Sequence, residues 1–320
     1  MDVCRICSHD KDHEEFTADE RMFALGESFV YFQCAKCRCL QIRDIPTDMT
    51  RYYPEHYYSM QVELPHSNGR LSDLRLAVES RLRLKVNNRL FGSSRRTRIF
   101  DWMRGTRTNY DSAILDVGCG RGKLLHELRL LGFKNLTGAD PFVAKDLLSD
   151  GVRIYKRQLV ELEGHFDLIM MHHTFEHLPE PEANLAAAAE RLRPGGFLLL
   201  RVPLVDCFAW RKYGVHWLSL DAPRHFFLHT EKSIGLLAQR TGFSVEDVVY
   251  DSGAHQFWGS EQYLRDIPHR SPTSYEGNPA GSIFTRQQIR QFEQQSRELN
   301  AKRDGDAACF YLRRQDTRPK

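Results

Sequence analysis

The stretch "SAILDVGCGRGKLLHELRLLGF" (112–133) reads as a strand, a glycine turn and a helix in immediate succession. Ala113–Val117 is a short apolar run of strand length, and Gly118, Gly120 and Gly122 make the turn that follows it. "KLLHELRLLG" then repeats its leucines at helical spacing until Gly132, a residue suited to ending a helix. A second strand, "NLTGAD" (135–140), ends in Asp140, twenty residues beyond Gly120. A β-α-β unit with this punctuation predicts a nucleotide-binding half. Its glycines admit a ligand close to the backbone, and its acid is placed for ribose hydroxyls.

Spacing separates two ligands for such a unit. A dinucleotide fingerprint is G-x-G-x-x-G, which rests a pyrophosphate on the helix N-terminus. Here the order is G-x-G-x-G, and Asp116 precedes the first glycine by two residues, where it can meet an ammonium. The strand–helix rhythm continues through "VRIYKRQ", "FDLIMMHH", "LAAAAERL" and "RPGGFLLLRVP". Together "ILDVGCGRG", "TGAD", "FDLIMMHHTFEHLPEP" and "LRPGGFLLLRVP" resemble the class I S-adenosylmethionine-dependent methyltransferases, and the match extends through "DAPRHFFLHTEKSIGLLAQRTGF" (221–243). The resemblance implies an α/β, Rossmann-like, seven-stranded domain. It places Gly118, Gly120 and Gly122 beside the methionine moiety, Asp116 near its amino group and Asp140 on the ribose. The adenine-side position, usually acidic, falls on Gln158 followed by Leu159, a departure that still leaves an amide able to hydrogen-bond.

Five of the eight cysteines lie in the first 39 residues, in "CRIC" and "CAKCRC". Two C-x-x-C pairs, Cys4 with Cys7 and Cys34 with Cys37, predict a closed tetrahedral zinc ribbon of structural type, with "GESFVYFQ" as a hairpin strand before the second knuckle. Cys39 is a fifth candidate for four places. The expected organisation is a zinc-ribbon module at 1–60, a helical linker at 61–98, the cofactor-binding domain at 99–250 and a C-terminal extension at 251–320. Within it, "RYYPEHYYSM" (51–60) either packs the module onto the next domain or lines a substrate mouth. "RLSDLRLAVESRLRLKVNNRL" (70–90) has leucines at helical spacing among arginines, so it either docks with its arginines solvated or touches a membrane surface or phosphates. In the extension, "QQIRQFEQQSRELNAKRDGD" reads as a polar helix and "AACFYLRR" as an edge strand.

"MHHTFEHLPEP" (171–181) contains H-x-x-E-H, a pattern shared with one class of zinc proteases. Such proteases need both histidines on one helical face. Here the motif leaves a strand directly and meets Pro179 and Pro181, so a long helix is not expected. In open α/β sheets the chemistry lies at the carboxyl ends of strands, where this segment falls. Histidine's ordinary pKa of about 6.5 suits a general base at neutral pH. His177 is therefore expected to be the base, with Glu176 orienting it and His172 and His173 shaping the pocket. The pair "EH" resembles the catalytic position of related sugar methyltransferases. Ubiquinone-pathway O-methyltransferases carry a similar E-x-x-E-H that binds a divalent ion, which implies His173, Glu176 and His177 as a secondary metal expectation. Downstream, "WRKYGVHWLSLDAPRHFFLH" (210–229) reads as a lid, with Trp217 stacking on a sugar face and Arg224 and His225 holding hydroxyls or a phosphate.

The bulk properties exclude several classes. The chain has 320 residues and a net charge of +3, from 45 basic and 42 acidic side chains, too balanced for a dedicated nucleic-acid binder. No apolar run approaches the roughly 18 residues of a membrane span. The start, "MDVCRICSHDKDHEE", is charged from residue 2, unlike a signal peptide, so a cytoplasmic protein is expected. A C-x-x-C ribbon ahead of this domain is similar to deoxysugar C-methyltransferases and polysaccharide-associated methyltransferases. A small-molecule or glycan acceptor, methylated at oxygen or carbon, is the leading expectation. A zinc-ribbon RNA methyltransferase and a non-catalytic zinc-docking protein are the rivals.

Overall fold

The computed structural model of the protein describes residues 2–54, 99, 102–103, 105–149 and 151–315. Cys4–Cys7 opens the chain as a tight turn, with the Ser8 amide donating to the Cys4 carbonyl at 2.9 Å. Cys34–Cys37 repeats it, with the Arg38 amide on the Cys34 carbonyl at 2.9 Å. Between the two turns, β1 (Glu14–Asp19) and β2 (Ser28–Gln33) form an antiparallel hairpin, and β3 (Leu40–Ile42) lies against β2. The hairpin's connecting loop is organised by Glu20, whose carboxylate accepts the amides of Met22, Phe23 and Leu25. That satisfies backbone donors in a loop with no ladder of its own.

The main domain alternates as its sequence predicts. β4 (Ala113–Val117), α1 (Lys123–Leu130) and β5 (Asn135–Ala139) form the first β-α-β unit. There follow β6 (Leu147–Ser149), β7 (Val152–Tyr155), β8 (Phe166–His172), α2 (Pro181–Arg191), β9 (Leu192–Pro203) and α3 (Phe208–Tyr213). The chain closes with β10 (Phe227–Leu228), α4 (Glu231–Arg240), β11 (Phe243–Tyr250), α5 (His255–Tyr263), α6 (Arg286–Ala301) and β12 (Ala307–Arg314). One sheet runs β11-β12-β9-β8-β4-β5-β7-β6. Its inner strands are parallel, β12 is antiparallel to both neighbours, and β6 is a short antiparallel addition at one edge. This is the mixed α/β, Rossmann-like arrangement, eight strands instead of the expected seven.

Two expectations about the tail differ in outcome. The polar helix is present as α6, packed through Ile289, Ser296 and Leu299. "AACFYLRR" is not an edge strand. As β12 it is inserted between β9 and β11, and six of its eight residues are buried. The unbroken apolar run 307–312 fits a strand buried on both faces, but the ladders to β9 and β11 on its two edges come from distant segments that the run itself does not name. The linker at 61–98 and the amphipathic stretch at 70–90 lie outside the described residues.

The N-terminal module is fused to the main domain rather than strung beside it. β10 pairs with β3, so the small sheet runs β1-β2-β3-β10 and takes its last strand from the main domain. Cys4, Tyr31 and Leu40 share one apolar cluster with Leu115, Leu200 and Phe227. Removing residues 304–320 should leave β9 and β11 without their shared partner and expose two long ladders. The expected result is an insoluble or unfolded chain by circular dichroism, and a soluble truncated chain with native secondary structure would contradict the topology.

Candidate active site

The glycine turn at the end of β4 is left-handed at each of its three glycines, with φ of 72° at Gly118, 52° at Gly120 and 81° at Gly122. These values favour glycine, which has no Cβ to clash. A Cβ on Gly118 would meet Thr174 Oγ1 at 2.3 Å. That close approach brings the turn against the segment after β8, and Thr174 Oγ1 donates to the Val117 carbonyl at 3.1 Å. Asp140 closes the other side. Its carboxylate accepts the amides of Gly120 and Phe142, both at 2.8 Å. The two strands' carboxyl ends are thus tied through one acid.

Asp116 is buried beneath this turn, and burial, reinforced by the charge of Asp140, pushes its carboxyl up to about 8. It opens onto a cavity of about 500 Å³ whose walls include Trp102, Gly118, Lys123, His172 and Arg201. Gln158, three residues past β7, is exposed, and its backbone N–H donates to Glu161 Oε2 at 2.7 Å. Leu159 is buried in the core and offers no side-chain surface to a ligand.

Beyond β8 the H-x-x-E-H motif forms one 3-10 turn, Phe175–His177, not a helix. His173, just before this turn, holds a left-handed φ of 51°. The chemistry of the partners fixes the tautomers. An Arg201 guanidinium N–H can only donate, so it donates to His173 Nε2, and His173 Nδ1 carries the proton, with Glu176 Oε1 3.3 Å away but outside hydrogen-bond geometry. A carbonyl can only accept, so His177 Nδ1 donates to the Arg224 carbonyl at 2.8 Å. The Tyr53 hydroxyl oxygen is 3.2 Å from that same nitrogen. Nε2 of His177 is left with the lone pair. Burial, with the neighbouring His225, holds the His177 pKa down to about 4, so the ring is neutral at physiological pH.

Glu176 does not orient His177 as expected. Its side chain is fully buried, and neither carboxylate oxygen has a hydrogen-bond partner among the described residues. It sits instead amid histidines, with His225 Nε2 at 3.9 Å, while His225 Nδ1 donates to the Ser219 carbonyl at 2.7 Å. Donor atoms of Glu176, His177 and His225 lie within 4.8 Å of one another, a set that could hold a cation. His173 is not in that set, and His225, placed in the lid by sequence, takes its place.

The lid expectation is corrected at two further residues. Trp217 is fully buried and donates its indole N–H to Asp306 at 3.1 Å, so no ring face is free for a sugar. Arg224 is also fully buried, with Glu20 at 2.8 Å and Asp221 at 2.7 Å, so its guanidinium holds protein carboxylates and not an acceptor. Conversely, Tyr53, Trp102 and Arg201 line the site and were not singled out by sequence. A lone arginine inside the apolar "FLLLRVP" was the available signal for Arg201. It is paired with Asp251 at 2.7 Å, and Asp251 also accepts from the Trp102 indole at 3.4 Å.

In the N-terminal module, Cys4, Cys7, Cys34 and Cys37 place their sulfurs within 4.8 Å of one another. Donors aimed at these sulfurs, Gln41 Nε2 at 2.9 Å and the Ile6 amide at 3.4 Å on Cys4, suit thiolates. Cys39 is excluded from the cluster and lies 4.0 Å from His229 Nδ1.

The shifted groups predict a stability optimum near pH 6.5. Unfolded histidine binds a proton near 6.5, whereas burial holds the pKa of His177, His229 and His269 down to about 4, so stability falls as pH drops from 6.5 toward 4. Asp116 acts oppositely. Its raised pKa of about 8 gives stability that is full below 3.8 and lost as pH rises to 8. Denaturant unfolding of Asp116→Asn should therefore lose the decline from pH 6.5 to 8, worth about 1 kcal/mol per unit. An unchanged alkaline slope would place Asp116 in a solvated setting.

Residues 88–248 match a family model described as a methyltransferase domain. A ubiquinone biosynthesis O-methyltransferase of Xanthomonas euvesicatoria pv. vesicatoria is 33% identical over 155 residues, 42% of this chain and 64% of that one. Another, from Colwellia psychrerythraea, is 37% identical over 101 residues, 28% of this chain and 41% of that one. The chain thus spans less than two thirds of these relatives' length. A solved S-adenosylmethionine-dependent methyltransferase from Mesorhizobium loti superposes with a TM-score of 0.44 and 16% identity, covering 67% of this chain and 96% of that one. With its family model covering half the chain and its sheet ordered around the glycine turn, the protein belongs to the methyltransferase-domain family.

Proposed function

We propose that the chain transfers a methyl group from S-adenosylmethionine to a hydroxyl of a small polar acceptor, with His177 as general base. The observation that carries this reading is the tautomer of His177. A neutral imidazole whose Nδ1 proton is held by a backbone carbonyl presents a lone pair at Nε2, at the carboxyl edge of a parallel sheet. The cofactor, when bound, supplies an electrophilic methyl on a sulfonium sulfur. The residues present fit it, because the glycine turn leaves the backbone bare, Asp140 retains lone pairs for ribose hydroxyls, and Asp116 faces a cavity open to an ammonium. A hydroxyl is a weak nucleophile until its proton leaves. With the cofactor bound, His177 Nε2 would take that proton as the acceptor oxygen bonds to the methyl carbon and the carbon–sulfur bond breaks with its electron pair left on sulfur, while Nδ1 stays on the Arg224 carbonyl.

The acceptor we favour is a nucleotide- or lipid-linked sugar in polysaccharide building. The leading support is the pairing of a four-cysteine module with this domain. The relatives named for ubiquinone biosynthesis support oxygen as the methylated atom. Zinc on Cys4, Cys7, Cys34 and Cys37 is part of this reading, in a closed structural role. A second reading is favoured by one observation: Glu176, His177 and His225 converge around two unpartnered carboxylate oxygens, a place for a divalent ion that would bind the acceptor oxygen instead.

Metal analysis of the purified chain should return about one zinc, lost together with the module's fold on chelation. A folded module without metal would remove zinc from the account. With labelled S-adenosylmethionine, a panel of nucleotide-sugars, lipid-linked sugars and phenols should reveal the acceptor. On it, His177→Ala should cut turnover by roughly 10²–10⁴ and spare cofactor affinity. Undiminished turnover would sink the base. Turnover that survives on zinc-loaded protein only with added divalent ion would favour the second reading. Asp140→Ala should weaken S-adenosylhomocysteine binding by about 1–3 kcal/mol in calorimetry, and equal affinity would move the cofactor elsewhere.

A further inference from the structure

We infer that the N-terminal module positions the catalytic base, and that Arg224 is the residue through which it does so. Its backbone and its side chain have separate jobs. The Arg224 carbonyl accepts the His177 Nδ1 proton at 2.8 Å. Its guanidinium, fully buried, is gripped by Asp221 at 2.7 Å on its own loop and by Glu20 at 2.8 Å in the module.

The residues that follow repeat the arrangement. The His225 carbonyl accepts the Tyr31 hydroxyl from β2 at 2.9 Å. The Phe226 carbonyl accepts the Ile42 amide from β3 at 3.0 Å, while the Phe226 amide donates to the Glu176 carbonyl at 2.8 Å. Phe227 and Leu228 then join β3 as β10. Residues 224–228 therefore form a strap with the module on one side and the Phe175–His177 turn on the other. Among the described residues, the module side holds the strap through Glu20, Tyr31, β3 and the Tyr52 carbonyl, which accepts from the Arg224 guanidinium at 3.5 Å.

Glu20 is suited to transmit the module's position. Its two oxygens accept the amides of Met22, Phe23 and Leu25 as well as the guanidinium, so it cannot move without the β1–β2 loop. A carbonyl held at this place makes the Nδ1–H tautomer of His177 the stable one. If the carbonyl shifts, the proton is free to occupy Nε2, and the lone pair needed for proton abstraction is lost. Arg224 is thus a positioning residue for the base proposed above, and the inference rests on that reading of His177.

The test uses the whole zinc-containing chain labelled with ¹⁵N-histidine and needs no acceptor. Nitrogen NMR reports which imidazole nitrogen of His177 carries the proton. Calorimetry with S-adenosylhomocysteine and zinc analysis serve as controls. The wild type should show Nδ1–H. Arg224→Lys and Glu20→Gln should each shift His177 toward Nε2–H, with S-adenosylhomocysteine affinity within about twofold of wild type and zinc content unchanged, as for a site not coupled to the cofactor. Nε2–H in the wild type overturns the inference whether or not either variant folds. So does an unchanged Nδ1–H state in the folded variants. A failed search for a methyl acceptor leaves these outcomes readable, so the two readings fail separately.

Discussion

A guanidinium taken wholly out of water is costly unless carboxylates replace its hydration, and the fully buried Arg224 has two of them, Glu20 and Asp221. Most of the molecule's organisation follows from that constraint. The pair joins residues 204 positions apart, so the hairpin loop of the N-terminal module and the strap after α3 must fold against each other. Once they do, β10 can complete the small sheet, and the apolar faces of both units close into a single cluster. Breaking one partner would strand a charge in that interior, which commonly costs about 3–5 kcal/mol.

The same constraint shapes the chemistry. Three histidines after β8 and in the strap have their tautomers set by groups that can only donate or only accept: Arg201 for His173, the Arg224 carbonyl for His177 and the Ser219 carbonyl for His225. Among them Glu176 is left with two oxygens that no described residue satisfies. Unpaired buried carboxylates are rare in finished interiors, and they cluster where a ligand, proton or ion completes the arrangement. The glycine turn, tied to Asp140, packs against Thr174, so under the proposed function the cofactor half and the proton-accepting half meet at one side chain.

Much of this was legible in the chain because the signals are local. Gly118, Gly120, Gly122 and Asp140 are placed by spacing within one β-α-β unit, and four cysteines in two turns predict their own cluster. What could not be read depends on distant partners. "WRKYGVHWLSLDAPRHFFLH" has the composition of a polar lid. Trp217 and Arg224 are nonetheless core residues, because Asp306 and Glu20 meet them from opposite ends of the sequence. Glu176 was expected to orient its neighbour, but one 3-10 turn aims the two side chains at different partners. The strand β12 looked like an edge because nothing in eight residues announces a second ladder. Tyr53 lay in the one aromatic stretch for which two roles stood open, and the structure places it on His177.

The central claim is that the cofactor lies across the glycine turn with its reactive end toward His177. A crystal structure of the chain soaked with S-adenosylhomocysteine tests it directly. The account predicts ribose hydroxyls on the Asp140 carboxylate, the amino group near Asp116 and the sulfur turned toward the His177 ring. A nucleoside bound away from Asp140, or a sulfur turned from His177, would contradict it.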